Sequence, residues 1–167
     1  MLLTNQGNRY RQNAGVIIQR RLAELGIQRE LRIVEWAAFI REFINKGRFD
    51  AVLLGWTIPQ DPDIHDIFAS SNIGPGKLNF NSYRNPELDR LLEAGRRTFD
   101  RGQRKAIYDK AQELLAEEVP YTFLYVGDAL PIVHARFQDI EPPPAGISYN
   151  FIRWWVPKGL QRASLLP

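Results

Sequence analysis

The chain has no cysteine, which excludes disulfides and thiolate metal centres without assigning a compartment. It has no apolar run of the length a membrane helix needs, and its opening MLLTNQGNRY has neither the basic start nor the long apolar run of a signal peptide. Basic and acidic residues are interspersed to a net charge of +3, with no basic stripe interleaved with aromatics, so nucleic-acid binding is not expected. Catalytic motifs are missing too: there is no Gly-x-Ser-x-Gly and no His-Glu-x-x-His. Only His65 and His134 offer a base near neutral pH, and His134 falls in an expected strand. The reading is a protein that is not an enzyme and carries no cofactor. What is present suits one globular domain, since 167 residues with 44% hydrophobic and 25% charged content can bury a sizeable core.

Apolar periodicity gives a strand–helix–strand–helix–strand beginning. Met1 to Thr4 reads as a short strand, followed by a helix with Ala14, Ile17, Ile18, Leu22 and Leu25 on one face and Gly26 as its stop. Arg29 to Val34 is the second strand. Trp36, Phe39, Ile40, Phe43 and Ile44 then recur at the 3.6-residue period up to Gly47. The third strand, Phe49 to Trp56, is apolar without alternation and is expected in the interior of a parallel sheet, covered on both faces. Right-handed crossovers bring the three strand ends, near Asn5, Glu35 and Trp56, to one edge. A pocket at that edge would draw on Thr4 to Asn8, on Glu35 and Trp36, and on Trp56 to Gln60.

Beyond the third strand, Asp61 reads as a helix cap with Pro62 at the first helical position. Capping and the helix dipole account for Asp61 and Asp63, so the cluster Asp61, Asp63, His65 and Asp66 is not taken as a metal set. Ser70 to Tyr83 is a long polar loop. Its Gly74-Pro-Gly-Lys77 lacks the earlier glycine and the following Ser or Thr of a phosphate loop, and reads as a turn. Asn79, Phe80, Asn81 and Tyr83 either face a ligand or plug the loop onto the core.

Asn85-Pro86-Glu87 opens another helix, and Asp100 with Gln103 opens the strongest one, whose buried stripe is expected at Ile107, Ala111, Leu114 and Leu115 before Val119-Pro120 ends it. Tyr121 to Val126 and Leu130 to Arg136 read as two strands around Gly127-Asp128. Residues 141–146, EPPPAG, read as a rigid linker. Tyr149, Phe151, Trp154 and Trp155 are either a packed closing segment or a stacking surface.

Several separated motifs now stand in order: Asn13-Ala14 ahead of a helix ending LAELGI, Glu35-Trp36, Gly55-Trp56, DPD at 61–63, NFNSYRNPELDRLLE at 79–93 and TFDRGQRKAIYDKAQELLAEEVPY at 98–121. Over nearly its whole length the chain resembles the C-terminal lobe of the family 5 extracellular solute-binding proteins of ABC importers, the dipeptide-, oligopeptide- and nickel-binding receptors. The resemblance implies an α/β, periplasmic-binding-protein-like lobe with a mostly parallel central sheet and helices on both faces. Residues 1–167 would form a single lobe whose N-terminal partner lobe is absent. It further implies binding of a peptide or other small polar solute in a cleft that closes by hinge motion. Delivery would be to a membrane permease, in a periplasmic or extracytoplasmic setting.

The candidate ligand-binding set is Trp36, Trp56, Thr57, Ile58, Gln60, Asp61, Asp63, Asn79 and Asn81. Here the chain departs from the family. Peptide-binding relatives often place an aspartate just after the Gly-Trp pair to meet the peptide's α-ammonium, whereas this chain has Thr57, Ile58, Pro59 and Gln60, with its first carboxylate at Asp61. Either Asp61 or Asp63 reaches a ligand amine, or the ligand has none. A nickel or metal-chelate receptor of the same family and a non-transport interaction domain docking through the aromatic tail are the alternatives. A nucleotide-binding α/β module would need more glycines after the first strand than the single one in Asn5-Gln6-Gly7-Asn8.

Overall fold

A computed structural model of the chain describes residues 1–57, 60–141, 146 and 148–161. The chain divides into two compact units, Met1–Thr122 and Phe123–Pro167.

The first unit is built on a parallel sheet of three short strands. Strand β1 (Leu2–Asn5) lies between β2 (Leu31–Val34) and β3 (Ala51–Leu53). Leu2 faces Leu31 and Ala51, and Thr4 faces Ile33 and Leu53. The interior strand is therefore β1, all four of whose residues are buried, and not the third strand as its apolar run suggests. β3 has three residues, begins at an exposed Ala51, and pairs on one side only among the described residues. Apolar content alone does not distinguish a covered strand from one whose residues turn into a neighbouring cavity.

Helices cover both faces of this sheet. On one face, helix α1 (Arg9–Glu24) approaches through Gly15, where a Cβ would stand 2.8 Å from Leu31 Cδ1 and 3.2 Å from Leu53 Cδ1. Of the expected apolar face Ala14, Ile18 and Leu22 are half-buried, whereas Ile17 is 61% and Leu25 76% exposed, and the buried residue of the helix is Gly15. Asn8 caps the start by accepting from the Arg11 amide. At the end Gly26 is left-handed, and the bonds Ile27 N to Leu22 O and Gly26 N to Ala23 O form a Schellman closure.

On the other face, Leu3 packs with Phe39 and Ile44. These residues come from a helix that starts as α2 (Trp36–Ala38) and widens into a π-helix over Phe39–Ile44. The expected 3.6-residue period is thus replaced by i to i+5 bonding, with the Asn45 amide donating to Ile40 O at 2.9 Å. Glu35 caps the start, accepting from the amides of Ala37 and Ala38.

Helix α3 (His65–Phe68) starts later than Asp61-Pro62 suggests, and neither residue caps it. Asp61 Oδ1 accepts from the Asp63 amide and Asp63 Oδ1 from the His65 amide, so the segment is a pair of Asx turns leading into the helix. Helices α4 (Pro86–Arg97) and α5 (Arg101–Glu118) start as expected at caps Asn85 and Asp100. They form the second core with α3 through Ile67, Phe68, Leu88, Leu92, Tyr108, Ala111 and Leu115. Of the expected stripe Ala111 and Leu115 are buried and Ile107 and Leu114 half-buried; Tyr108 is buried beside them, because Gly95 of α4 leaves room for its ring. Val119, at φ 48°, ends α5 in the left-handed region.

In the second unit the two strands expected within residues 121–136 do not form, and residues 122–134 have no regular structure. Val126 is 97% and Ile132 100% exposed. A strand exists through its ladder, and the β-pairing described in this unit is the isolated antiparallel bridge of Gln138 with Trp155. The aromatic tail is packed only in part: Trp154 is half-buried, while Tyr149, Phe151 and Trp155 are exposed. Trp154 sits against Phe137 and Phe151, and its indole N–H donates to Asn150 Oδ1 at 2.7 Å. The Trp155 indole donates to Asp139 Oδ2 at 2.6 Å. Of the expected linker, residues 142–145 lie outside the described residues.

Candidate functional site

Past the carboxyl end of β3, a cavity of about 440 Å³ opens in the first unit, within the size range of small-ligand sites. Three segments meet there. The π-turn supplies Ile40, Ile44 and Asn45 beside Trp36, the chain leaving β3 supplies Leu54, Gly55 and Trp56, and the long loop supplies Gly76 to Leu78 and Phe80.

Trp56 is fixed from behind. Phe80 stacks on it with ring centroids 5.9 Å apart, and Phe80 stacks in turn on Tyr121 at 6.3 Å. Burial pushes the Tyr121 phenol up to about 12. Trp36 stands at the rim, half exposed and stacked on Phe39 at 5.9 Å.

The candidate residues separate into three groups. Trp36 and Trp56 come together on this cavity. Thr57 and Gln60 are exposed and do not line it, and Ile58 lies outside the described residues. The four others are held by the fold. Asp61 takes both guanidinium nitrogens of Arg104, at 2.9 and 2.7 Å, and this pair holds its carboxyl below the usual range. Asp63 is bound by Arg96 at 2.7 Å. Asn79, fully buried, donates to the carbonyls of Phe68, Ala69 and Tyr83 and accepts from the Tyr83 amide. Asn81 donates to Pro120 O at 3.1 Å. The Asn79 side chain therefore plugs the loop onto the core.

The polar segment after β1 is likewise occupied with local bonds. Thr4 Oγ1 donates to Leu53 O at 3.2 Å, and Asn5 Oδ1 accepts from Arg11 at 2.8 Å. Glu35 is spent on its helix, the amides of Ala37 and Ala38 lowering its pKa. Ile40, Ile44, Asn45, Leu54, Lys77 and Leu78 are lining residues that sequence reasoning did not single out. The 3.6-residue spacing of Trp36, Phe39, Ile40, Phe43 and Ile44 gives no sign of the π-turn over Phe39–Ile44.

Chemically, the cavity is a set of apolar and aromatic walls with few polar groups. Lys77 brings its stem to the lining, while its ammonium donates to Ser71 O at 2.6 Å. Among the described residues no group of three or more His, Cys, Asp or Glu is arranged to hold a metal ion, and no helix is long and apolar enough to cross a membrane.

No family model matches the chain. The oligopeptide-binding protein AppA of Bacillus subtilis is 35% identical over 158 residues, covering 94% of this chain and 29% of its own length. Its solved structure, in complex with a nonapeptide, superposes with a TM-score of 0.74 over 94% of this chain and 31% of that one. The chain belongs to the family 5 extracellular solute-binding proteins. Two further members give the same picture. A probable di/tripeptide-binding protein 5 of Pseudomonas aeruginosa is 32% identical over 133 residues, which are 78% of this chain and 25% of its own length. The ABC transporter-associated periplasmic binding protein DppA of Helicobacter pylori, in complex with peptide STSA, shares 28% identity and a TM-score of 0.63, over 72% of this chain and 24% of that one. The chain thus spans less than a third of the length of these family 5 relatives, and its α/β architecture is theirs.

Proposed function

We propose that the chain is the C-terminal lobe of the substrate-binding component of an ABC importer, taking a peptide or similar small solute. The observation that carries this reading is the meeting of Trp36, Trp56 and Phe80 around a cavity at the carboxyl edge of a parallel sheet, in a chain related to an oligopeptide-binding protein. In this reading the cavity is half of a cleft, and a second lobe outside residues 1–167 supplies the other half. Closure over the solute expels water and presents the closed form to a membrane permease on the extracytoplasmic side. Thr57 and Gln60, both exposed after Trp56, meet the bound solute in this reading. Asp61 and Asp63 stiffen the loop through Arg104 and Arg96. No chemical step is assigned, so the protein binds and releases its solute unchanged.

The test is the solute itself. The full-length receptor is purified without denaturation and its bound solute identified by mass spectrometry, followed by calorimetry with that solute. Recovery of peptides that rebind supports the reading. A receptor that carries no solute and gives no heat with short peptides overturns it.

A further inference from the structure

The two walls of the cavity differ in how they are built. Trp56 is stacked on Phe80, which is stacked in turn on Tyr121. The facing wall depends on the π-turn. In an α-helix residue i+5 points about 140° away from residue i, so Asn45 would leave the side that Ile40 occupies. The wider turn, closed by the bond from the Asn45 amide to Ile40 O, returns Asn45 beside Ile40 and Ile44, and all three line the cavity.

The charges around the cavity are committed elsewhere. Among the described residues, none that lines it is acidic. Asp61 and Asp63 are paired with Arg104 and Arg96, Glu35 with backbone amides, and the Lys77 ammonium with Ser71 O. A cationic group entering here would lose hydration and find no acidic side chain on this wall of the cleft, whereas an apolar group would gain indole, phenyl and isoleucine surface.

Resting on the peptide-binding reading above, we propose that this cavity is a subsite for one bulky uncharged side chain of the ligand. Ile40 sets its size, and Asn45 reads a polar atom carried by that side chain. Lysine and arginine side chains are rejected.

The experiment uses the full-length receptor and an alanine nonapeptide in which a single Phe, and separately a single Lys, is moved from position to position. Phe is expected to strengthen binding about tenfold or more at one position, and Lys at that position to give no gain. Ile40→Trp, which fills the cavity, is expected to abolish the Phe gain while circular dichroism stays unchanged. If that variant does not fold, Asn45→Ala serves: wild type is expected to prefer Tyr over Phe at that position, and the variant to lose the preference. Failure of every peptide to bind overturns the peptide-binding reading and this inference with it. Binding that ignores the position of Phe, or that accepts Lys as well as Phe, overturns the inference alone, as does a Phe gain or a Tyr preference that survives the variant measured.

Discussion

Arg104 of α5 grips Asp61 with two guanidinium nitrogens at 2.9 and 2.7 Å, tying the loop after the Gly-Trp pair to the helical half of the unit. The ion pair lowers the Asp61 pKa, so its contribution to stability is present above the ordinary carboxylate value of about 3.9 and is lost as pH falls through the lowered folded value. Asp61→Asn should therefore lower the melting temperature at pH 7, modestly because the pair is partly exposed. The gap from wild type should close as pH drops below about 4. Thermal scans from pH 7 to pH 2.5 check this, and a gap independent of pH would contradict it.

At the alkaline end two phenols matter. Burial, reinforced by the bond to Glu118, pushes Tyr83 up to about 12, and burial pushes Tyr121 up to about 12. A raised phenol stabilises the fold fully below its unfolded value of about 10 and loses that contribution as pH rises through the folded value. Stability should fall between about pH 10 and pH 12, and the double variant Tyr83→Phe with Tyr121→Phe should show a shallower fall. Denaturant melts across that window give the comparison.

Asn79 joins the turn after α3 to the approach to α4 with a single buried amide. Asn79→Ala leaves three carbonyls and the Tyr83 amide short of partners, with an expected cost of about 2–4 kcal/mol. Asn79→Asp should do no better, since a carboxylate cannot donate to the carbonyls of Phe68 and Ala69. Urea denaturation of both variants measures the loss.

Helix glycines usually gain from replacement by alanine, by about 1 kcal/mol. Gly95 should be an exception, because a Cβ there would meet Tyr108 Cζ at 2.7 Å and Cε2 at 2.8 Å in a covered ring. Gly95→Ala is expected to cost about 1–3 kcal/mol. Gly15→Ala meets the flexible ends of Leu31 and Leu53 and should stay within about 1 kcal/mol of wild type. The contrast between the two, read from denaturation midpoints, is the test.

Ligand should be visible to Trp56. In a full-length receptor whose other tryptophans, Trp36, Trp154 and Trp155 among them, are replaced by Phe, addition of the co-purified solute should shift Trp56 emission. An unchanged spectrum at saturating solute would remove Trp56 from the site.

Local devices were readable from the sequence and distant meetings were not. Asn85, Asp100, Gly26 and Gly47 act on their own helix ends, and each stands where spacing put it. The pairing of Trp36 with Trp56 at one edge followed from parallel strand order. The central place of β1, the burial of Tyr108 under Gly95 and the four bonds of Asn79 depend on what the rest of the chain brings near. Asp61 was misread because a cap and an Asx turn use the same residue type with the same reach. The strands expected within 121–136 failed for the opposite reason: β-branched and aromatic content states a preference that only a partner strand can satisfy.

That unmet preference has a practical side. Leu124, Val126, Leu130 and Ile132 stand open to solvent along backbone without ladder bonds. In the isolated chain a protease has its easiest substrate there, and a hydrophobic dye its brightest target. Loss of both signals when the remainder of the receptor is supplied would serve as an assay of assembly that needs no ligand.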